Sequence, residues 1–443
     1  MNATHRVKTA DKNTVGFMID GVFYTNDYIR QNIEYITNMS LQENGMPEAE
    51  SELPELDYKK DIIDKEYVKL AEENPFVRDV QDELLAWKAD KMHQVLQLEG
   101  TRQVGKTTEL LKFAYKNYEF VLYVNLAEDN YGFQEIIRHG ATPLEFEKYC
   151  MRAGLPSFVN NSNTILIIDE IQRSQAVYNA IRLMSRNVNC DIIVTGSYLG
   201  RVLQDKGFFL PAGTVSYCTM FPLSFMEFCR VFGAETELET IDLYGQSDDI
   251  ACGQLTELYD LYIKIGGYPE VVKRYIRSKD IGECYNIIGK LLSTFKDESR
   301  NYFSSPREVE IFDVVYRRAL QEMCNEKRGT GKNTVEMITS LAKANTELLV
   351  NKSEVSAAVV WLKYTGILGV CSLAVNGDIT KIVPDRRMYY ADYGIASYLA
   401  ERYMIDKTAL TGLLAETFVC KTVWVSEVLL YYENAGNDGY SHQ

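Results

Sequence analysis

Residues 100–108 form a glycine-rich segment that very few folds accommodate. The segment reads Gly-Thr-Arg-Gln-Val-Gly-Lys-Thr-Thr and fills every fixed position of the pattern G-x-x-x-x-G-K-[ST]. An apolar run at residues 95–98 precedes it, and residues 109–115 have apolar side chains at helical spacing. Glycines let a backbone wrap around an anion with its N–H groups inward, and a helix N-terminus favours negative charge. The pattern therefore predicts a strand, a phosphate-binding loop and a helix in that order.

The side chains at the end of this loop suit the tail of a nucleoside triphosphate. Lys106 can reach the outer phosphates, and the hydroxyl of Thr107 can bind the Mg²⁺ that accompanies them. No Asn-Lys-x-Asp motif for guanine occurs in the chain, so ATP is the expected nucleotide. The predicted nucleotide-binding residues are Gly100, Thr101, Arg102, Gln103, Val104, Gly105, Lys106, Thr107 and Thr108.

An acidic pair follows a second apolar run further along the chain. Residues 165–168 are Ile-Leu-Ile-Ile, which is typical of a parallel strand buried on both faces, and Asp169 and Glu170 come directly after them. Ligands bind at the carboxyl ends of strands in open α/β sheets, so Asp169 is predicted to share the Mg²⁺ with Thr107. Glu170 is the predicted catalytic base that orients a water, together with Lys106 as the other catalytic residue. A kinase is less favoured, because this pair suits a metal ligand followed by a water-orienting base.

Two more apolar runs extend the predicted sheet. Residues 120–125 form one strand, and residues 191–195 form another that we expect beside the Asp169 strand. Thr195 or Ser197 could then contact the γ-phosphate or the water, although Thr-Gly-Ser is also a common turn. Strands alternate with helical stretches such as residues 175–187, which predicts an α/β fold with a parallel sheet and flanking helices.

Six further motifs follow the glycine-rich loop along the chain. They are Ile168-Asp169-Glu170-Ile171-Gln172, Thr195-Gly196-Ser197, Pro222-Leu-Ser-Phe-Met-Glu-Phe228, Gly266-Gly-Tyr-Pro-Glu-Val271, Arg387-Met-Tyr-Tyr-Ala-Asp-Tyr-Gly-Ile-Ala396 and Leu414-Ala-Glu-Thr-Phe-Val419. Together with the loop, their order resembles a widespread prokaryotic group, in which an AAA-type (archaeal-like) P-loop ATPase is fused to a C-terminal domain of unknown function. The resemblance covers residues from about 76 onward, and it implies an ATPase core, a mostly helical winged-helix-like region and an α/β module of restriction-endonuclease type.

Two departures from the group affect the expected chemistry. Members often carry Gly-Arg shortly before the Pro-Leu-Ser-Phe motif, whereas this chain has Pro-Ala-Gly-Thr at residues 211–214, which leaves Arg201 as the nearest candidate for stabilising transition-state charge. A nuclease of the endonuclease type needs an Asp and a Glu-x-Lys triplet, and no such triplet follows Glu416. The C-terminal module is therefore predicted to be truncated or degenerate, without nuclease chemistry.

Composition indicates a multidomain protein of the reducing cytoplasm. The nine cysteines stand singly with no C-x-x-C pair, the four histidines are far apart, and no stretch approaches the roughly 20 apolar residues of a membrane helix. The net charge of −15 opposes non-specific attraction to nucleic acid. No membrane partner is expected, while a homo-oligomer and a DNA or protein partner of the C-terminal half stay open.

Composition shifts and helical spacing divide the chain. One helical stretch is expected from about residue 58 to residue 87, a hairpin at residues 17–24, and a helix interrupted by glycines at residues 255–277. A helix, turn, helix and short β-wing are expected at residues 334–373. The predicted units are an N-terminal extension with an acidic linker (1–57), the P-loop ATPase domain (58–232), a linker (233–253), a helical region (254–330), a winged-helix-like region (331–385) and the partial endonuclease-like module (386–443).

Three functions fit these patterns. The chain hydrolyses ATP with Mg²⁺ and moves its C-terminal module, or it is a nucleotide-gated switch with little turnover, or its C-terminal half binds or processes DNA. The absent Gly-Arg favours the second. The third is weakened because the predicted groove-reading helix, residues 353–363, is apolar and has lysines only at its ends.

Overall fold

The computed structural model defines three sheets and a large set of helices. It describes residues 3–8, 15–19, 22–25, 64–90, 95–197, 207–209, 213–241, 247–300, 306–325, 336, 338–340, 343, 351–375, 382–424 and 430–433. The strands are β1 (Ala3–Lys8), β2 (Val15–Ile19), β3 (Val22–Thr25), β4 (Val95–Glu99), β5 (Phe120–Asn125), β6 (Thr164–Asp169), β7 (Asp191–Thr195), β8 (Val215–Thr219), β9 (Leu368–Val375), β10 (Ile382–Tyr390) and β11 (Leu430–Glu433).

The helices surround the sheets and make up most of the second half of the described chain. They are α1 (Asp64–Glu73), α2 (Val80–Ala89), α3 (Lys106–Asn117), α4 (Phe133–Arg138), α5 (Pro143–Ala153), α6 (Gln175–Asn179), α7 (Ile181–Asn187), α8 (Phe225–Val231), α9 (Glu235–Glu239), α10 (Asp249–Ile265), α11 (Pro269–Ser278), α12 (Ile281–Ser299), α13 (Pro306–Asn325), α14 (Lys352–Tyr364), α15 (Tyr393–Arg402) and α16 (Lys407–Trp424).

The central sheet has five strands in the order β5-β6-β7-β4-β8, and all of its pairings are parallel. This confirms the predicted α/β fold with a parallel sheet and flanking helices, and it places β7 beside the Asp169 strand as expected. Because the strands are parallel, the carboxyl ends of β4, β6 and β7 lie at one edge of the sheet. That edge carries the glycine-rich loop, Asp169 and Thr195.

Apolar cores cover both faces of this sheet. Ile165 and Ile167 of β6 belong to one core, whereas Leu166 and Ile168 belong to the other, and all four are fully buried. Alternate side chains of a strand point to opposite faces, so the continuous apolar run fits a strand covered twice. The first core also contains apolar residues of α10 to α16, which packs the helical second half against one face of the sheet.

Two predicted helices are interrupted in the structure. The stretch expected between residues 58 and 87 is two helices, α1 and α2, because Pro75 between them cannot donate the next helical hydrogen bond. The stretch at 175–187 divides into α6 and α7 at Ala180, whose ψ of 1° lies outside the helical range.

Other sequence-based elements match the structure. The break at Gly266-Gly267 separates α10 from α11, strands β2 and β3 form the expected antiparallel hairpin, and α14 is followed by the antiparallel pair β9 and β10. The acidic linker predicted at the end of the N-terminal extension lies outside the described residues, as do five of the ten residues at 334–343, where the first helix of the winged-helix-like region was expected. None of the described helices is both long enough and apolar enough to span a membrane.

Candidate nucleotide-binding site

The glycine-rich loop connects β4 to α3, as the sequence predicts. Gly105 immediately precedes the helix with φ at 98°, and Gly100 has φ at 140°, which side chains other than glycine rarely adopt. A Cβ on Gly100 would lie 2.1 Å from the carbonyl oxygen of Met220. The loop therefore needs glycine both for its curvature and for its close approach to the chain after β8.

Lys106 is buried at the first position of α3. Its Nζ donates hydrogen bonds to the carbonyl oxygens of Gly100 and Thr101, each at 2.9 Å, so the ammonium folds back over the loop. Burial lowers the pKa of Lys106 to about 8, while the negative charges of Asp169 and Glu170 act in the opposite direction. A cation held in such surroundings is well placed to gain from a phosphate partner.

Thr107 and Asp169 meet although they are far apart in sequence. The Thr107 Oγ1 donates to the Oδ2 of Asp169 at 2.6 Å, and the Tyr123 hydroxyl donates to the same oxygen at 3.0 Å. Burial and the Asp169 charge raise the pKa of Tyr123, which keeps its hydroxyl protonated as a donor. A hydroxyl and a carboxylate are oxygen ligands of the kind that Mg²⁺ takes in phosphate sites, so the residues present fit this ion.

Glu170 occupies a sharp turn directly after β6. Its φ of 52° is in the left-handed region, and its N–H donates to the Oδ1 of Asp169 at 2.7 Å. The two carboxylates therefore leave the strand end in different directions. The Gln172 side-chain amide donates to Glu170 Oε2, which holds the Glu170 carboxylate in place.

The residues predicted to contact the γ-phosphate or to stabilise transition-state charge have different surroundings. Thr195 lies at the end of β7, between the strand of the loop and the strand of Asp169, and its Oγ1 donates to the carbonyl oxygen of Leu98 at 2.9 Å. Ser197 is buried two residues later. Arg201 lies outside the described residues.

A buried ion pair that was not predicted from the sequence contacts the glycine-rich loop. Arg78 is 4% exposed; its Nε donates to Glu227 Oε1 at 2.9 Å, and its Nη1 donates to the carbonyl oxygen of Val104 at 3.0 Å. Glu227 and Ser224 form a capping box at the start of α8. The Ser-Phe-Met-Glu spacing of the Pro-Leu-Ser-Phe motif signals this cap, but no local pattern points to Arg78.

The helical second half contacts the same edge. A Cβ on Gly267 would lie 2.2 Å from the carbonyl oxygen of Leu223, and the Gly267 N–H donates to the buried Oδ2 of Asp392 at 2.7 Å. Tyr268 is the N-cap of α11, which begins at Pro269, and Pro269 packs near Gly105 of the loop. The Gly-Gly-Tyr-Pro and Ala-Asp-Tyr-Gly motifs thus meet each other beside the loop.

The loop, the parallel sheet and the acid at the neighbouring strand end together define a P-loop NTPase fold. Residues 92–229 match the family model described as AAA domain, so this part of the chain is similar to AAA domains. No curated protein sequence matches the chain significantly.

Three solved structures show distant similarity to the chain. A Walker-type ATPase of Pyrococcus abyssi is 16% identical over 73% of this chain and 95% of its own, with a TM-score of 0.45. The ORC2 protein of Aeropyrum pernix is 11% identical over 83% and 98%, with a TM-score of 0.34. The Holliday junction branch migration motor RuvB of Thermotoga maritima is 14% identical over 67% and 90%, with a TM-score of 0.26. Similarity at this level carries no functional argument.

Proposed function

We propose that the protein binds ATP with Mg²⁺, hydrolyses it, and uses hydrolysis to move its C-terminal half. The single observation that carries this proposal is the 2.6 Å hydrogen bond between Thr107 and Asp169 below the glycine-rich loop. It joins a helix start and a strand end that are 62 residues apart in sequence. A hydroxyl and a carboxylate placed this way at the end of a glycine-rich loop suit a metal–triphosphate complex.

Each group of the site has a separate role in the proposed reaction. The N–H groups of residues 100–108 and the ammonium of Lys106 bind the phosphate oxygens, and Thr107 and Asp169 would hold Mg²⁺, whose charge draws electron density from the terminal phosphate. Glu170 accepts a hydrogen bond from the attacking water and orients it towards the phosphorus. Thr195 and Ser197 are proposed to respond to the presence of the γ-phosphate.

A second candidate, a nucleotide-gated switch with little turnover, is favoured by one contact. Gln172 donates to the carboxylate of Glu170, and a base engaged in this way is less available to a water. In this alternative, bound ATP changes the arrangement of the C-terminal half without being consumed quickly.

Coupling to the second half is supported by direct packing beside the loop. The turn at Gly267 contacts Leu223 and Asp392, and Pro269 packs near Gly105. We propose that the units predicted from the sequence move relative to one another at their boundaries. The winged-helix-like and endonuclease-like units are proposed to bind a partner in the cytoplasm. Homo-oligomerisation and a DNA or protein partner remain part of this proposal. DNA is disfavoured at α14, whose Lys352 is paired with Glu336.

Turnover and nucleotide trapping test the two candidates. Glu170→Gln should reduce kcat by about 10²–10⁴-fold while ATP affinity stays within about twofold of wild type, because binding groups are untouched and only water orientation is lost. After gel filtration, the variant should retain ATP where the wild type retains ADP. Glu135→Gln removes an exposed acid of α4 and is the matched control.

The outcomes separate cleanly. A wild type that binds ATP but barely turns it over, with no further loss in Glu170→Gln, supports the switch. A wild type that shows no binding heat with Mg²⁺ and ATP, and whose Lys106→Ala variant behaves identically, would refute both candidates.

A further inference from the structure

Arg102, the third residue of the glycine-rich loop, forms an ion pair with the helical second half. Its guanidinium contacts the carboxylate of Glu298, which lies in the last turn of α12. The Arg102 side chain is 39% exposed and that of Glu298 is 15% exposed, so the contact lies at the rim of the site. The pair links the proposed phosphate-binding loop directly to a helix outside the AAA-type domain.

Both charges also act on the lysine of the loop. The positive charge of Arg102 lowers the pKa of Lys106, and the negative charge of Glu298 raises it. Arg102 belongs to the same loop as this lysine, whose ammonium folds back onto the carbonyl oxygens of Gly100 and Thr101. A triphosphate seated at Lys106 would be attracted to Arg102 and repelled by Glu298.

A second contact brings the C-terminal half over the same stretch of loop. Gly366 follows α14 with φ at 72°, and a Cβ there would lie 3.0 Å from the Cγ2 of Thr101. Thr101 and Arg102 therefore both lie next to parts of the chain beyond residue 233.

We propose that Arg102 binds the outermost phosphate of ATP, and that Glu298 competes with this phosphate for the guanidinium. This inference rests on the proposed function and extends it. A phosphate offers the guanidinium the same two-oxygen geometry as a carboxylate with more negative charge, so ATP displaces Glu298. The released carboxylate of Glu298 is then next to the phosphate charges, and repulsion displaces the end of α12. ADP lacks the outer phosphate and leaves the ion pair intact.

The proposal gives Arg102 the role for which the sequence offered Arg201, a residue outside the described part of the chain. Residues 211–214 lack the Gly-Arg expected from the resemblance, and an arginine that stabilises charge on the transferred phosphate is a recurring part of P-loop catalysis. Here that arginine belongs to the loop itself, and α12 controls whether it is available.

Comparison of ATP with ADP tests the exchange. Arg102→Ala should weaken ATP binding at least tenfold and lower kcat by about 10³-fold, with ADP affinity changed by less than about twofold. Arg102→Lys, which keeps the charge without the two-pronged geometry, should fall between wild type and Arg102→Ala. Glu298→Gln should strengthen ATP binding about three- to tenfold, and the double variant should lose that gain. Both affinities are measured by displacement of a fluorescent nucleotide.

A matched ion pair controls for loss of structure. Arg274 of α11 pairs with Glu283 of α12 outside the loop, and its side chain is 40% exposed, close to the 39% of Arg102. Arg274→Ala should leave the ATP-to-ADP affinity ratio at the wild-type value. Equal losses of ATP and ADP affinity in Arg102→Ala, or weaker ATP binding in Glu298→Gln, would show that the pair only holds the fold and would overturn the inference. Failure of the proposed function is a different result, because the wild type would then bind neither nucleotide.

Discussion

Replacement of Glu227 by alanine should destabilise the protein through the buried ion pair below the loop. The Glu227 carboxylate accepts hydrogen bonds from Arg78 Nε at 2.9 Å and from the backbone N–H groups of Asp79 and Ser224, both at 2.8 Å. Loss of each hydrogen bond from a backbone N–H costs about 1 kcal/mol, and loss of the charged hydrogen bond from Arg78 costs about 1.5–3 kcal/mol. The sum, about 4 kcal/mol, agrees with the roughly 3–5 kcal/mol that follows when a buried charge loses its partner.

A loss of this size is a large fraction of a typical domain stability of about 5–15 kcal/mol. Urea unfolding followed by circular dichroism should show a lower midpoint for Glu227→Ala with an unchanged slope. Glu227→Gln keeps one acceptor oxygen and should lose less. Arg230→Ala, which removes more exposed ion pairs of the same helix, should cost no more than about 1 kcal/mol. Equal midpoints for Glu227→Ala and Arg230→Ala would refute the reasoning.

Three further outcomes follow from the site and its support. With a pKa of about 8, Lys106 is half neutral at pH 8, and phosphate favours its charged form, so ATP binding at that pH should take up about half a proton. Calorimetry in two buffers of different ionisation enthalpy measures this proton uptake, and the affinity for ATP should fall as the pH rises above 8. Proton uptake that persists in Lys106→Met would contradict its assignment to Lys106. Asp392→Asn removes the charged acceptor of two buried backbone N–H groups and should lower the stability by about 1.5–3 kcal/mol, read as a lower Tm; an unchanged Tm would count against it. Gly100→Ala places a Cβ 2.1 Å from a carbonyl oxygen and should abolish nucleotide binding, whereas Gly253→Ala, with no atom within 4 Å, should bind normally.

Local patterns predicted the structural elements that carry the candidate site. The glycine spacing before Lys106 and the apolar run before Asp169 are each complete within about ten residues, and parallel pairing then brings their ends to one edge of the sheet. The interruption at Gly266-Gly267 was also visible, because glycine in a helical pattern is a local signal.

Contacts between distant parts of the chain could not be predicted in this way. Arg78 reaches Glu227 across 149 positions, and nothing in its neighbouring residues distinguishes it from a solvated arginine. The pairing of Arg102 with Glu298 likewise depends on how α12 packs against the sheet, which periodicity alone does not determine. The prediction of one helical stretch through residues 58–87 is wrong at Pro75, because apolar spacing continues past this residue whereas its missing N–H prevents a continuous helix.

The shared core has a practical consequence for anyone who wishes to study the two halves in isolation. Tyr262 of α10 packs against Phe228 of α8 at 5.0 Å between ring centroids, and its hydroxyl donates to the carbonyl oxygen of Leu223 at 2.6 Å. A fragment that stops at residue 232 would expose this aromatic surface to solvent, and we expect such a fragment to aggregate during purification. Limited proteolysis of the intact chain should accordingly cut between the halves without separating them on a sizing column, since the nicked pieces stay joined by apolar packing.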